Sequence, residues 1–209
     1  MKKLLLTSSV FNVGSAIVRR FGKMGSRLTC INTASEVEKG DLWWLRKDRE
    51  SLVKAGFEVV DYTVTGKTKG DVEKELGKTD VIFFSGGNVF YLLQQIQHVG
   101  CADSIRKFVA NGKPYIGSSA GSVIAGPDVW PVCPIDHADK APKIIGYAGL
   151  GLVDFVVLPH WGSDQFKERY LNQRLEHAYT DKYKLILLTD HQYILVEDDR
   201  YKIVEGEHE

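Results

Sequence analysis

Residues 117–121, Gly-Ser-Ser-Ala-Gly, present hydroxyl groups with almost no side-chain bulk around them. The segment fits the pattern G-x-S-x-G, in which a nucleophilic serine is exposed on a tight turn between a strand and a helix. The register of the pattern selects Ser119, and the following amide, that of Ala120, is placed to stabilise an oxyanion. The alternative interpretation is an ordinary turn serine, so the rest of the chain has to supply catalytic partners.

A serine hydroxyl needs a general base at neutral pH, and the chain contains six histidines. His160 fits this role best because it follows the apolar run VVLP, although His137, in a proline-rich segment, is a competitor. Asp190 follows another apolar run, LILLT, and is the candidate for orienting the imidazole; its alternative role is a turn or helix cap. The remaining histidines lie in helix-like sequence, in the C-terminal tail or next to the acid: His98, His177, His208 and His191. The order Ser, His, Asp differs from the Ser, Asp, His order of α/β-hydrolases.

These side chains can meet only if the strands that carry them end at one edge of the fold. Seven apolar runs without polar alternation predict strands buried on both faces, and helix-like segments separate most of them. This alternation predicts an α/β three-layer sandwich with a mostly parallel central sheet and helices on both faces. The runs that flank Asp198 and Asp199 predict a C-terminal β-hairpin.

Ligands bind beyond the carboxyl ends of parallel strands, where Ser119, His160 and Asp190 are therefore expected. Gly86 and Asn88 follow the run VIFF at the same edge and are predicted to contact substrate. Residues 127–149 hold four of the six prolines and predict a long irregular loop, a kind of segment that is often functional.

Composition predicts one domain over residues 1–209 and argues against several classes of protein. Lysine plus arginine and aspartate plus glutamate both number 27, so no basic excess points to nucleic acid. No apolar run approaches the roughly 20 residues of a membrane span. No G-x-G-x-x-G motif follows the first strand, and a Walker A motif is missing, which argues against nucleotide cofactors. Three scattered cysteines predict reduced thiols and a cytoplasmic location, with no metal site.

The segments FFSGGNVFYLLQQI and YIGSSAGSVIAG, followed by LPHW and LTDH, resemble the aspartyl dipeptidase (dipeptidase E) and cyanophycinase family of serine peptidases. The resemblance implies a fold like that of class I glutamine amidotransferases, with Ser119 as nucleophile and His160 as base. It also implies that Gly87 joins Ala120 in the oxyanion hole. The third catalytic residue of this family is commonly Glu, so Asp190 is a departure from its pattern.

Aspartyl dipeptidases use an arginine to bind the acidic side chain of the substrate, which implies Arg169 or Arg174 in this role. We therefore expect a serine peptidase that hydrolyses short peptides through an acyl-enzyme, with N-terminal Asp dipeptides as candidate substrates. The alternative is an amidotransferase-like module that binds a small ligand without turnover, or that transfers the acyl group to an acceptor other than water. The expected partner is a small peptide, no cofactor is expected, and a homodimer is left open.

Overall fold

The computed structural model describes residues 1–21, 26–133, 137–179 and 181–206, except for six side chains within helices: Ser15, Val18, Arg19, Gln173, Arg174 and His177. The strands in these ranges are β1 (Lys3–Thr7), β2 (Arg27–Ile31), β3 (Glu58–Tyr62), β4 (Val81–Phe84), β5 (Tyr115–Ser118), β6 (Phe155–Pro159), β7 (Lys184–Leu188), β8 (Gln192–Glu197) and β9 (Arg200–Glu205).

The helices are α1 (Gly14–Phe21), α2 (Trp43–Lys54), α3 (Lys69–Leu76), α4 (Val89–Val99), α5 (Ala102–Ala110), α6 (Ala120–Val123), α7 (Asp164–Arg169) and α8 (Leu175–Ala178). A π-helical turn, Tyr170–Arg174, joins the last two helices. The short 3-10 segments are Val10–Val13, Thr33–Val37, Trp130–Val132 and Ala138–Lys140. Of the described helices, none is long and apolar enough to cross a membrane.

A seven-stranded sheet in the order β3-β2-β4-β5-β1-β8-β9 forms the centre of the fold. The five strands from β3 to β1 are parallel, and β8 and β9 continue the sheet as an antiparallel hairpin. The hairpin turns at Asp198, which has the positive φ of 52° that a tight turn requires. The mostly parallel sheet and the C-terminal hairpin confirm the fold predicted from the sequence.

Alternating side chains of the strands divide the core into two layers, one on each face of the sheet. Leu4 and Leu6 of β1 pack with α3, α4 and α5, whereas Leu5 packs on the other face with α1 and α2. Both faces of β1 are therefore fully buried, as expected for a strand that shows no polar alternation. The helices on both faces bear out the predicted three-layer arrangement.

Two of the predicted parallel strands, β6 and β7, do not join this sheet. They pair in parallel only with each other, with Pro159 opposite Leu188 at their carboxyl ends. They cannot extend the central sheet at β1, because β8 already occupies the second edge of that strand. The small β6–β7 sheet packs on the α4 side of the core, and its carboxyl end still faces the active-site edge.

The described parts of the 127–149 loop are irregular apart from two short 3-10 segments, as predicted, and contacts with α4 hold them in place. Gln94 accepts the Lys143 amide at 2.6 Å, and Gln97 bonds both the amide and the carbonyl of Ile145. Tyr147 packs against both Trp130 and α4. The described parts of this loop are thus tied to the body of the protein beside the carboxyl ends of the strands.

Candidate active site

Ser119 stands on a strained turn between β5 and α6. Its backbone has φ 47° and ψ −108°, a conformation that a residue with a side chain adopts only when its surroundings enforce it. The Ser119 amide donates to the Thr7 carbonyl at 2.9 Å, and Ser122 Oγ exchanges hydrogen bonds with both backbone groups of Thr7. The end of β1 therefore holds the turn that presents Ser119.

Glycines are required on both sides of Ser119 because backbone segments pass very close together there. A β-carbon on Gly121 would lie 2.1 Å from the Phe84 carbonyl oxygen, and one on Gly117 would lie 2.6 Å from the Gly121 carbonyl oxygen. Neither distance is tolerable for a carbon atom, so the glycines of G-x-S-x-G are fixed by packing of α6 against β4 and β5.

His160 follows β6 and is held by three neighbouring elements. Its φ is 64°, and its amide donates to Ser8 Oγ at 3.0 Å. Ser8 Oγ in turn donates to the Leu188 carbonyl at 2.9 Å, so the end of β1 connects the ends of β6 and β7. The imidazole stacks on the Phe166 ring with centroids 4.5 Å apart, which fixes the plane of the base.

The imidazole of His160 connects the two other polar residues predicted for the site. Its Nε2 lies 2.9 Å from Ser119 Oγ, and its Nδ1 lies 2.7 Å from Asp190 Oδ1. Both contacts have hydrogen-bond length. The His160 and Asp190 side chains are only 17% and 28% exposed, so the pair is shielded from much of the solvent. The structure thus brings the serine, the imidazole and the carboxylate into one hydrogen-bonded chain.

His137, the competing histidine, also lines the cavity but does not pair with Ser119. It is exposed, and its carbonyl accepts a hydrogen bond from the Asn88 side chain. His191 follows Asp190 and is exposed. His208 and the His177 side chain fall outside the described residues.

Gly87 and Ala120, the residues expected to form the oxyanion hole, line the cavity together with Ser119. Within the described ranges, neither the Gly87 amide nor the Ala120 amide donates a hydrogen bond to another protein atom. Gly87 has φ 121°, and a β-carbon there would lie 2.3 Å from the Ala34 carbonyl oxygen. This close approach explains the glycine, and Gly87 lines the cavity together with Ser119.

A cavity of about 450 Å³ opens over these groups and is lined by Ser119, His160 and Asp190. Its volume lies in the range typical of small-molecule sites. Val132 and His137 line it as well, so the 127–149 loop forms part of its wall.

The residues predicted to bind substrate have different environments. Gly86 lines the cavity, where a β-carbon would lie 3.4 Å from the Ser119 β-carbon. Asn88 lines it as well, but its side chain caps α4 by accepting the Tyr91 amide and donates to the His137 carbonyl. Arg169 lines the cavity, and its guanidinium lies over the Phe166 ring, 5.5 Å from the centroid. The Arg174 side chain lies outside the described residues.

Sequence reasoning missed an acidic and an aromatic residue of α2 that also line the cavity. These residues are Asp48 and Trp44, and Ser9 lines the cavity with them. Asp48 is 2% exposed, and burial raises its pKa to about 7. A signal was available, because residues 44, 48 and 52 share one helical face and Leu52 is fully buried. A carboxylate within an apolar helical stripe indicates a buried charge.

Comparison with known proteins agrees with this geometry. The family model described as peptidase family S51 matches residues 4–204. The uncharacterized peptidase Lin0382 of Listeria innocua is 35% identical over 200 residues, which are 95% of this chain and 94% of that protein. The Probable alpha-aspartyl dipeptidase of Drosophila melanogaster is 31% identical over 135 residues, 61% of this chain and 52% of that protein.

A crystal structure described as a candidate peptidase E protein of Listeria monocytogenes EGD-e superimposes with a TM-score of 0.89. It shares 30% sequence identity, and the match covers 98% of each chain. These findings confirm the predicted relationship to the dipeptidase E family. From its sequence, its fold and its relatives, the chain belongs to peptidase family S51 and is a serine peptidase.

Proposed function

We propose that the enzyme hydrolyses short peptides through Ser119, His160 and Asp190, with dipeptides as its main substrates. The observation that carries the proposal is the continuous hydrogen-bonded chain from Ser119 Oγ through the His160 imidazole to Asp190. This is the arrangement that converts a weakly nucleophilic hydroxyl into a reactive one.

In the proposed mechanism, Ser119 Oγ attacks the carbonyl carbon of the scissile peptide bond and its proton passes to His160 Nε2. Asp190 keeps the Nδ1 proton of the imidazole in place and stabilises the imidazolium that forms. The Gly87 and Ala120 amides donate to the developing oxyanion, a role supported by their lack of protein acceptors among the described residues.

The proton on His160 Nε2 then passes to the leaving amine as the carbon–nitrogen bond breaks, which leaves an acyl-enzyme on Ser119. A water molecule, deprotonated by His160, attacks this ester and releases the acid product. The final proton transfer returns Ser119 to its hydroxyl form, so the cycle consumes one water and restores every group of the enzyme.

We further propose a preference for an acidic side chain at the N-terminal residue of the substrate, with Arg169 as the residue that binds it. Arg169 lines the cavity and has no carboxylate partner in the described part of the chain. Its guanidinium lies over the Phe166 ring, and the Phe166 ring in turn stacks on the His160 imidazole. The name of the Drosophila relative, an alpha-aspartyl dipeptidase, supports the same preference.

Two measurements test this function. A fluorophosphonate probe should modify Ser119, which peptide mass mapping would identify, and the modified enzyme should be inactive. A dipeptide library screened with the purified protein should then show hydrolysis, with Asp-Xaa dipeptides among the best substrates. A chain that neither reacts with the probe nor cleaves any dipeptide is not the proposed peptidase.

A further inference from the structure

Asp48 of α2 is a buried carboxylate to which the proposed catalytic cycle gives no role. The residue is 2% exposed, and its carboxylate accepts three hydrogen bonds, from the Ser118 hydroxyl and from the backbone amides of Val10 and Phe11. The Phe11 amide lies 3.0 Å from Oδ1. A buried carboxylate is costly, so proteins retain one where its hydrogen bonds are needed. These three bonds come from two segments that lie far apart in the sequence.

The first bond holds the residue directly before the nucleophile. Ser118 is the last residue of β5 and is 3% exposed. The next residue, Ser119, has the strained backbone conformation with φ 47° and ψ −108°. Such a conformation persists only where the surrounding contacts enforce it. Thr7 holds the Ser119 amide from the side of β1, and the Asp48 carboxylate ties the preceding residue to α2.

The other two bonds hold the segment that supports the general base. Val10 and Phe11 lie in the 3-10 turn that follows β1, just after Ser8 in the chain. Ser8 Oγ accepts the His160 amide at 3.0 Å. The Asp48 carboxylate therefore fixes the chain next to the serine that holds the base.

We propose that Asp48 is a positioning residue that sets the distance between Ser119 and His160. One carboxylate joins the end of β5, which presents the nucleophile, to the turn after β1, where Ser8 holds the base. Proton transfer uses the 2.9 Å separation of Ser119 Oγ and His160 Nε2. A misplacement of about 1 Å can reduce the rate about 100-fold. The inference rests on the proposed function, in which Ser119 is the nucleophile.

A carboxylate suits this place because both of its oxygens accept hydrogen bonds. The Val10 and Phe11 amides can only donate, so in an asparagine variant the single side-chain oxygen would have to serve both. The Ser118 hydroxyl would then have to accept a bond from the asparagine NH₂ group instead of donating one. An alanine at this position would leave all three groups without their acceptor.

Steady-state hydrolysis of Asp-Leu tests the proposal through separate values of kcat and KM. In Asp48→Ala, kcat should fall about 10- to 100-fold while KM changes less than about threefold, because the cavity keeps its contacts with substrate. Asp48→Asn, the conservative variant, should have a kcat between those of Asp48→Ala and the unmodified enzyme. A raised KM at unchanged kcat would make Asp48 a substrate-binding residue and overturn the proposal.

Variants of Ser118 provide a second test, which stands even if Asp48→Ala does not fold. Ser118→Ala removes one of the three bonds and should lower kcat about three- to tenfold. Ser118→Thr keeps the hydroxyl and should retain more activity than Ser118→Ala. The double variant Asp48→Ala/Ser118→Ala should have a kcat within about twofold of that of Asp48→Ala, because both changes remove the same bond. An unchanged kcat in Ser118→Ala, or losses that multiply in the double variant, would contradict the proposal.

Leu52→Ala separates positioning from general destabilisation. Leu52 lies one turn after Asp48 on the same face of α2 and is fully buried in the apolar core. This change should lower the midpoint of urea unfolding, because it leaves a cavity in the core, but kcat should stay within about twofold of the unmodified value. A loss of kcat equal to that of Asp48→Ala would show that Asp48 only stabilises α2.

A fluorophosphonate probe distinguishes failure of this inference from failure of the proposed function. The rate at which the probe modifies Ser119 should fall in Asp48→Ala in parallel with kcat. If the probe does not modify Ser119 in the folded, unmodified enzyme, the proposed function fails, and this inference fails with it. If Ser119 is modified equally fast in the unmodified enzyme and in Asp48→Ala, the function stands, but Asp48 does not position the nucleophile.

Discussion

His160 and Asp190 meet because their strands pair in register: Pro159 stands opposite Leu188, and the two side chains emerge one and two residues later with Nδ1 and Oδ1 2.7 Å apart. Asp190→Asn should keep this geometry but favour the wrong imidazole tautomer. We expect kcat to fall by about 10²–10⁴. Asp190→Glu, which keeps the charge, should retain more activity than the Asn variant. Steady-state dipeptide hydrolysis measures both, and full activity in Asp190→Asn would remove the residue from the catalytic set.

The choice of Ser119 over its neighbour can be tested directly. Ser119→Ala should reduce kcat by about 10⁴–10⁶ while the protein stays folded. Catalytic residues of this kind act as a unit, so the loss of one removes most of the rate enhancement that they supply together. Ser118→Ala is the matched control and should retain at least about a tenth of the activity. Kinetics on one dipeptide, with circular dichroism as a check on folding, measure the outcome. The opposite ranking would show that the neighbouring hydroxyl is the nucleophile.

Gly87 should tolerate no side chain. In Gly87→Ala the new β-carbon meets the Ala34 carbonyl oxygen at 2.3 Å, and the backbone at φ 121° has to shift. We expect kcat to fall by about 10²–10³, the cost of losing one oxyanion donor, and the midpoint of thermal unfolding to fall as well. Gly100→Ala is the control for backbone strain alone, because Gly100 has φ 69° with nothing within 4 Å. Similar kinetics in both variants would argue against an amide donor at Gly87.

Arg169→Lys should lower kcat/KM for Asp-Leu more than for Ala-Leu. A guanidinium binds a carboxylate through two parallel hydrogen bonds, which an ammonium group cannot reproduce. We expect kcat/KM for Asp-Leu to fall roughly 10- to 150-fold more than kcat/KM for Ala-Leu, which corresponds to about 1.5–3 kcal/mol. Lys167→Gln, on the same helix but outside the cavity lining, controls for a general change in charge. If the unmodified enzyme cleaves both dipeptides equally well, there is no acidic preference to explain.

Asp48 should make the protein less stable as pH rises. Its pKa is about 7 in the folded protein, above the ordinary value of 3.8, so between these values the folded state holds a proton that the unfolded chain has released. The free energy of unfolding should therefore decrease from about pH 4 to about pH 7 and level off above that, by at most about 4 kcal/mol. Urea titrations of the unmodified protein and Asp48→Asn would show this as a pH-dependent difference.

Glu50→Gln, on the exposed side of α2, serves as the reference for losing a carboxylate from this helix. It should follow the pH dependence of the unmodified protein more closely than Asp48→Asn does. A constant difference in unfolding free energy between the unmodified protein and Asp48→Asn over this pH range would show that the buried carboxylate does not take up the proton.

The sequence predicted the residues of the candidate site more completely than it predicted the arrangement of the strands. Ser119, His160 and Asp190 were predictable because each follows an apolar run, and runs of that type end at one edge of a parallel fold. The separation of β6 and β7 was not predictable, because it depends on β8 taking the edge of β1 and no local pattern records strand order. Asp48 and Trp44 were missed for a different reason: a lone carboxylate in a helix usually faces solvent, so the helical face that Asp48 shares with Leu52 was not interpreted as buried.

The position of β1 between β5 and β8 makes the conformation of Ser119 a non-local property of the fold. Thr7 bonds Ser122, 115 residues further along the chain, and Leu4 pairs with Val196. Contacts of such separation form slowly during folding. The Ser119 amide and the Ser122 hydroxyl both bond Thr7. The turn that presents Ser119 is therefore complete only in a chain in which β1 has paired with β5.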